Sequence, residues 1–303
     1  MTSKQQFFYG LVQKNVLVTG ASGQLGNELK KFSEQVSLPF RFLFTDVDTL
    51  DITNLDQVDA FVAHHAVQYI INCAGYTAVD KAEAEPELAY AVNATAVENL
   101  SLVVRERGAR LIHISTDFVF DGNSNTPYTE EMMPRPLSVY GASKRKGEEL
   151  LQAVGGDAMV IRTSWLYSEF ANNFVKTMIR LMKKQKSLTV VDDQRGSPTY
   201  AADLAEMIVH ILQFTEEHQE WKTGIYHFSN QGVISWFHFA KEIQRLARLD
   251  ECQLQPISTE EYGAPAARPS YSVLDSSKIR GAFHVEIPSW EESLKRCIQE
   301  INR

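Results

Sequence analysis

Between a short apolar run, Asn15–Thr19 (NVLVT), and an amphipathic helical stretch lies the segment Thr19-Gly20-Ala21-Ser22-Gly23-Gln24-Leu25-Gly26. Glycines at G-x-x-G-x-x-G spacing suit a strand-to-helix turn that reverses tightly, lets its backbone approach a pyrophosphate, and seats the helix close against the strand. The free N–H groups and partial positive charge at such a helix start then face an anion. Without a ligand the same glycines would serve only as a turn. The context favours a dinucleotide: Asp46 closes the second apolar run about twenty residues beyond Gly26. A carboxylate there accepts hydrogen bonds from the adenosine ribose and repels a 2′-phosphate, so NADH should be usable. Asp51 and Ile52 lie where the chain can flank the adenine.

The rest of the chain agrees with that turn. Arg41–Thr45, Tyr69–Cys73, Arg110–Ser115 and Ala158–Thr163 are further short apolar runs rich in β-branched and aromatic residues, and they read as buried strands. Leu55–His65, Glu87–Arg107 and Gly141–Val154 between them carry helical patterns. This alternation predicts an α/β chain with a doubly wound parallel sheet of the Rossmann type, helices covering both faces. Beyond Trp165 the pattern loosens. Helices are expected near Asn172–Gln185, Ala202–Phe214 and Ser235–Leu249, with a proline-rich loop at Tyr262–Pro269. The expected division is an N-terminal stub (1–13), a mainly NAD(P)-binding domain (14–164), and a mainly substrate-binding smaller lobe (165–303) from which the chain crosses back to the sheet.

Composition excludes several other classes. The 303 residues are 44% hydrophobic and 22% charged, as in an ordinary globular enzyme. A formal charge of −8 argues against a nucleic-acid surface, which needs clustered lysine and arginine. Cys73, Cys252 and Cys297 are widely separated, so neither a disulfide framework nor a zinc site is expected. The apolar patch Phe7-Phe8-Tyr9 is no signal peptide, and no run approaches the roughly 18 apolar residues of a membrane span. A soluble cytoplasmic protein is the expectation.

Tyr140-x-x-x-Lys144 opens the helical stretch ending at Val154. Residues four apart share a helix face, so a phenol and an amine can address one bound molecule. A nearby ammonium favours the phenolate and draws the phenol down from its ordinary value near ~10. Tyr140 can then pass a proton to a carbonyl oxygen while hydride reaches the carbon, and Lys144 can hold the nicotinamide ribose. The pairing alone recurs by chance. Ser115-Thr116-Asp117 strengthens it, because it ends the fourth strand, on the side where open α/β sheets place their ligands.

At these residues the sequence resembles the extended short-chain dehydrogenase/reductase superfamily and, more narrowly, its dTDP-4-dehydrorhamnose reductase family. The likeness runs from about Asn15 to the C-terminus. It rests on GQLG (Gly23–Gly26), NCAGYTAVDKAE (Asn72–Glu83), STDFVF (Ser115–Phe120), YGASK (Tyr140–Lys144), RTSWLY (Arg162–Tyr167) and NNFVKTM (Asn172–Met178). The glycine turn and YxxxK mark only the superfamily; TAVDKAE and RTSWLY with NNF are narrower. The resemblance implies NADPH- or NADH-dependent reduction of the C4 ketone of dTDP-4-dehydro-β-L-rhamnose. Tyr140 would be the proton donor, Lys144 its partner and ribose ligand, and Thr116 the hydroxyl that polarises the ketone.

By the same resemblance, Gly23, Gln24 and Leu25 would line the pyrophosphate, beside Gly20 and Gly26 of the same cofactor-binding turn, and Ala74, Gly75, Tyr76 and Thr77 would border the cofactor. Thr116, Asp117 and Trp165 would touch the substrate, with Asn173 and Arg268 as diphosphate or nucleotide contacts. Some relatives are magnesium-bridged dimers. Glu28 matches one such position, but Asp203 is offset from another, so no obligatory metal is expected and the chain should be a monomer or homodimer. Two other readings stay open. An epimerase or dehydratase of the superfamily is one, although Phe118 stands where a dehydratase has its second carboxylate. The other is a non-catalytic NADP-binding regulatory subunit, like the β subunit of methionine adenosyltransferase.

Overall fold

The computed structural model describes residues 13–303, so the expected stub and its Phe7-Phe8-Tyr9 patch lie outside the described residues apart from Gln13. In chain order the sheet layer is built from β1 (Lys14–Thr19), α1 (Gln24–Gln35), β2 (Phe40–Thr45), α2 (Leu55–His64), β3 (Val67–Asn72), α3 (Ala96–Arg107), β4 (Arg110–Thr116), α4 (Val139–Val154) and β5 (Ala158–Thr163), completed by α5 (Ala201–His218) and β6 (Gly224–His227). The six strands run in the order β6-β5-β4-β3-β1-β2, and every neighbouring pair is parallel. The chain steps outward from β1 to β2, then returns past β1 to β3. That reversal opens a crevice at the carboxyl ends of β1 and β3, where doubly wound sheets bind ligands.

Strand periodicity explains why both faces are covered. Val16 and Val18 of β1, Tyr69 and Ile71 of β3, and Met159 and Ile161 of β5 share one core with α1 and α5. Leu17, Ile70 and Val160, the residues between them, belong to the opposite core with α2 and α3. Successive side chains alternate faces, and full burial of each contributes about 1.5–3 kcal/mol.

One expected helix is interrupted. Glu87–Arg107 resolves into a short helix at Pro86–Tyr90, a π-helical turn at Ala91–Thr95, and α3. The cause is Asn93, which is fully buried. Its side chain accepts from Tyr76 N at 2.8 Å and donates to Tyr76 O and Ser143 Oγ, each at 3.0 Å. Widening one turn lets the amide serve both the segment after β3 and helix α4, and such bulges concentrate at functional sites.

Helices Phe174–Met182, Trp236–Ala247 and Trp290–Ile301 pack around a separate apolar core of Val175, Phe239, Ile243 and Leu294. A parallel strand pair, Ser187–Val191 with Gln253–Ile257, lies alongside. Asn173, Ser235 and Ser289 cap the three helices with their side chains. No described helix is long and apolar enough to cross a membrane.

Candidate active site

A cleft of about 850 Å³ opens along the carboxyl ends of β1, β3 and β4 and extends under the smaller lobe. The glycine turn forms its floor. Gly20 has φ +66°, and a Cβ there would stand 2.7–2.9 Å from the backbone of Cys73 and Ala74. At Gly26 a Cβ would meet the backbone of Gly20 and Ala21 at 2.5–2.6 Å, so α1 can lie this close to the turn only without a side chain. Gly23 caps α1 with no side-chain bond to its first N–H groups, and the buried Gln24 Oε1 has no partner. Uncapped N–H donors at the helix start, beside a turn whose glycines let the backbone be approached closely, fit the diphosphate of a dinucleotide.

Asp46 follows β2 at one end of the cleft. Its Oδ2 accepts from Ser22 N at 3.0 Å and from Ser22 Oγ at 2.5 Å, which ties the carboxylate to the turn. Asp51 and Ile52 line the same end, and Ala74, Gly75 and Thr77 line the middle. Tyr76 does not face the cleft: its hydroxyl donates to Glu85 at 2.5 Å.

The reactive groups come from β4 and α4. Ser138 caps α4 by accepting from Gly141 N at 3.2 Å, which places Tyr140 on the first turn and Lys144 on the next. The Tyr140 ring packs edge-on against Phe118 at 5.6 Å. Thr116 at the end of β4 donates to Asp117 Oδ1 and accepts from Phe118 N, both at 3.2 Å. Thr116, Asp117, Tyr140 and Lys144 all border one cleft. The buried Asp117 Oδ2 has no partner, and burial lifts the carboxyl to about 7.

Electrostatics here departs from the expectation that Lys144 draws the phenol down. Burial, aided by Asp117 and opposed by the Thr116 hydroxyl, pushes Tyr140 up to about 12. Lys144 Nζ instead donates to Ile114 O at 2.7 Å, and burial lowers the amine to about 8 although Glu148 opposes this. Desolvation outweighs the attraction anticipated from their helical spacing.

On the far side stands an aromatic wall. Trp165 sits in the left-handed region at φ +48°, and its indole stacks on Trp236 with centroids 3.5 Å apart and planes 9° apart. Trp165, Trp236 and Phe174 all line the cleft. Trp236 and Phe174 went unnoticed in the sequence, where an aromatic at a helix start reads as core.

Asn173 also borders the cleft, but its amide is engaged: it accepts from Lys176 N at 3.1 Å and donates to Ser168 O at 2.7 Å. Arg268 lies outside the lining residues, with its guanidinium paired to Asp80 at 3.0 and 2.8 Å. Glu28 lies outside as well, 3% exposed, and burial followed by its contact with Glu169 raises it to about 8. Asp203 is bound to Asn230, Ser293 and Arg296.

A parallel sheet with a glycine turn at its switch point, and a phenol and amine bordering the same cleft, is the framework of the short-chain dehydrogenase/reductase class of oxidoreductases. The particular family follows from comparison with known proteins. Residues 14–303 match the family described as RmlD substrate binding domain, and the chain belongs to that family. It is 39% identical over 290 residues to a dTDP-4-dehydrorhamnose reductase of Aggregatibacter actinomycetemcomitans, covering 92% of this chain and 97% of the relative. It is 38% identical over 285 residues to the spore coat polysaccharide biosynthesis protein SpsK of Bacillus subtilis (94% and 97% covered). The crystal structure of a Bacillus anthracis dTDP-4-dehydrorhamnose reductase in complex with NADP superposes with a TM-score of 0.88 at 43% identity, covering 95% of this chain and 99% of that one.

Proposed function

We propose that this chain reduces the C4 ketone of dTDP-4-dehydro-β-L-rhamnose to dTDP-L-rhamnose with NADH or NADPH. The observation that carries this reading is the meeting of Thr116, Tyr140 and Lys144 in the cleft that the glycine turn floors. The Aggregatibacter relative bears the name of this activity, and the Bacillus anthracis relative binds NADP.

Gly20, Gly23, Gln24, Leu25 and Gly26 hold the cofactor diphosphate in this scheme, Asp46, Asp51 and Ile52 its adenosine end, and Ala74, Gly75 and Thr77 the part beside β3, with Tyr76 turned away from the cleft. The bound reduced nicotinamide supplies the hydride. The Thr116 hydroxyl turns from Asp117 Oδ1 to donate to the C4 oxygen and polarises the carbonyl. Tyr140 gives its proton to that oxygen as the C–H bond forms at C4, so a ketone, a hydride and a proton become a secondary alcohol. A phenol pushed up to about 12 is protonated at neutral pH, the state a proton donor requires. Lys144 holds the nicotinamide ribose through its amine. Asp117 and Trp165 contact the sugar, Asn173 the nucleotide side, and Arg268 reaches the diphosphate only by leaving Asp80.

The test is spectrophotometric oxidation of NADH and NADPH by the purified protein with dTDP-4-dehydro-L-rhamnose, beside UDP-linked 4-ketosugars. Rapid oxidation with the dTDP sugar is expected. Turnover of the UDP sugars alone would replace the substrate, and no oxidation with either would overturn the reaction.

A further inference from the structure

The proposed function sets Trp165 against the sugar, where a flat indole ordinarily offers its face. In the folded protein neither face is on offer. One lies against Trp236, with ring centroids 3.5 Å apart and planes 9° apart. That is van der Waals contact, and a third ring would fit between the two only if they stood about 7 Å apart. The other face is covered by backbone. A Cβ at Gly196 would stand 2.5 Å from Cε2, 2.6 Å from Cζ2 and 2.7 Å from Nε1 of the Trp165 indole. Cε2 lies in the notch between the other two atoms, so an approach in the ring plane would meet Nε1 or Cζ2 first. With Cε2 nearest, Gly196 sits over the ring. It sits on the side away from Trp236, because a point that close above the stacked side would run into the second indole.

The two jaws of this slot belong to one piece of structure. Strand Arg195–Gly196 pairs antiparallel with Ile234–Ser235, Gly196 opposite Ile234. Trp236 is the next residue and opens the helix Trp236–Ala247, which Ser235 caps by accepting from His238 N at 3.2 Å. The strand pair therefore sets the width of the slot. Beyond Trp236 stands Phe174, its ring centroid 4.5 Å away, so the outer jaw is backed. Trp165 itself sits at φ +48°, a conformation that a bulky L side chain rarely adopts and that persists only where its surroundings over-determine it.

Trp165 and Trp236 both border the cleft. With its faces closed, the rim of Trp165 is what remains for a ligand. We infer that Trp165 meets the nucleotide sugar with its edge, and that Gly196 and Trp236 are the positioning residues that hold it so. The inference deepens the proposed function and rests on Trp165 being a substrate contact. An aromatic edge carries partial positive charge, opposite in sign to the face, and the indole rim includes an N–H donor. A rim suits the hydroxyl, carbonyl and phosphate oxygens of a nucleotide sugar. A face would suit the flat base or the C–H side of the sugar ring. The slot thus decides which part of the ligand this tryptophan can recognise.

Two other arrangements predict different behaviour. A ligand ring that slid between the two indoles would break their stack. A ligand that packed on a face of Trp165 would gain from the loss of Trp236, because that loss uncovers a face. Only edge-on contact keeps the stack during binding and also weakens when Trp236 is removed.

Both properties can be measured with dTDP-L-rhamnose as the ligand, without turnover. Stacked indoles give an exciton couplet in circular dichroism, and Trp236→Phe, which keeps a ring but not the pair, identifies it. The couplet should persist when the wild-type protein is saturated with dTDP-L-rhamnose; its loss on binding would overturn the inference. By calorimetry, Trp236→Ala should bind dTDP-L-rhamnose about tenfold more weakly, the upper worth of one aromatic contact, while its affinity for NADPH holds. Trp236→Phe still covers the indole face and should restore most of the loss. Unchanged or tighter sugar binding by Trp236→Ala would count against the idea decisively, and so would an equal loss for NADPH, the mark of a merely structural role. If that variant does not fold, the wild-type couplet decides alone. A wild-type protein that does not bind dTDP-L-rhamnose would overturn the proposed substrate and this inference with it, whereas binding with loss of the couplet overturns the inference alone.

Discussion

The glycine turn and the pair Asn173 and Arg268 both read as phosphate contacts in the sequence, yet they fold differently. At the turn, the groups that would bind are backbone N–H donors at the start of α1, with no capping side chain to divert them. On the other side the binding groups are side chains, and the folded protein has engaged them. Arg268 is paired with Asp80, 188 positions away in sequence, and Asn173 caps its own helix. A backbone requirement written in glycines survives folding because nothing else can satisfy it. A guanidinium or amide takes whichever partner the fold brings, and a lone sequence does not show which that will be.

The largest effect should separate binding from chemistry. If the turn holds cofactor while α4 performs proton transfer, Tyr140→Phe keeps cofactor affinity and lowers kcat about a hundredfold or more, the usual contribution of general acid catalysis. Equal losses in both, by single-turnover kinetics and cofactor titration, would erase the distinction. Gly26→Ala attacks the turn itself. Its Cβ would enter 2.5–2.6 Å from backbone atoms that cannot rotate away. An overpacking cost of about 2 kcal/mol should weaken cofactor binding roughly thirtyfold, measured by calorimetry, and unaltered affinity would mean the turn carries no ligand.

Asp117 offers an intermediate case, a side chain at the cleft with one oxygen unclaimed. Its carboxyl rises from the usual 3.8 to about 7 on burial. Between those values the folded protein holds a proton that the unfolded chain has lost, so stability falls as pH rises across that window and stays low above it. Asp117→Asn carries no charge at any pH and removes the slope. The variant should gain about 3–4 kcal/mol over wild type at pH 8 relative to the difference at pH 4, read by urea denaturation at the two pH values. Parallel stability curves would show that Asp117 is ionised without penalty.

How far the sequence could be read follows the same divide. Strand Ala158–Thr163 has the bounds expected of it, and the other four expected strands shift by a residue or two at their ends, because apolar runs in a parallel sheet are buried on both faces and announce themselves. The π-turn at Ala91–Thr95 was invisible: it exists for Asn93 to reach Tyr76 and Ser143, partners that only the tertiary fold supplies. Trp236 joins the cleft stacked on Trp165, whose backbone sits at φ +48°. Asn173→Ala measures how much of the missed part is structural. Loss of the cap should destabilise the protein by about 1 kcal/mol; a raised KM for the nucleotide sugar without loss of Tm would instead restore Asn173 as a ligand.

The smallest effect bears most directly on the comparison. Arg268 and Asp80 form a two-pronged ion pair, with side chains 19% and 42% exposed. Solvent screening limits such a pair to less than about 1 kcal/mol. If Arg268 acts only through Asp80, then Arg268→Ala, Asp80→Ala and the double variant should lose nearly the same stability, since removing either partner removes the whole interaction. KM for the nucleotide sugar should then change little in all three. If Arg268 leaves Asp80 for a substrate diphosphate, the variants part company. Arg268→Ala raises KM severalfold, because a charge-assisted contact is lost, whereas Asp80→Ala lowers KM by releasing the guanidinium from a competing carboxylate. The sign of the Asp80→Ala effect therefore decides whether the smaller lobe holds its arginine as structure or keeps it in reserve for the ligand.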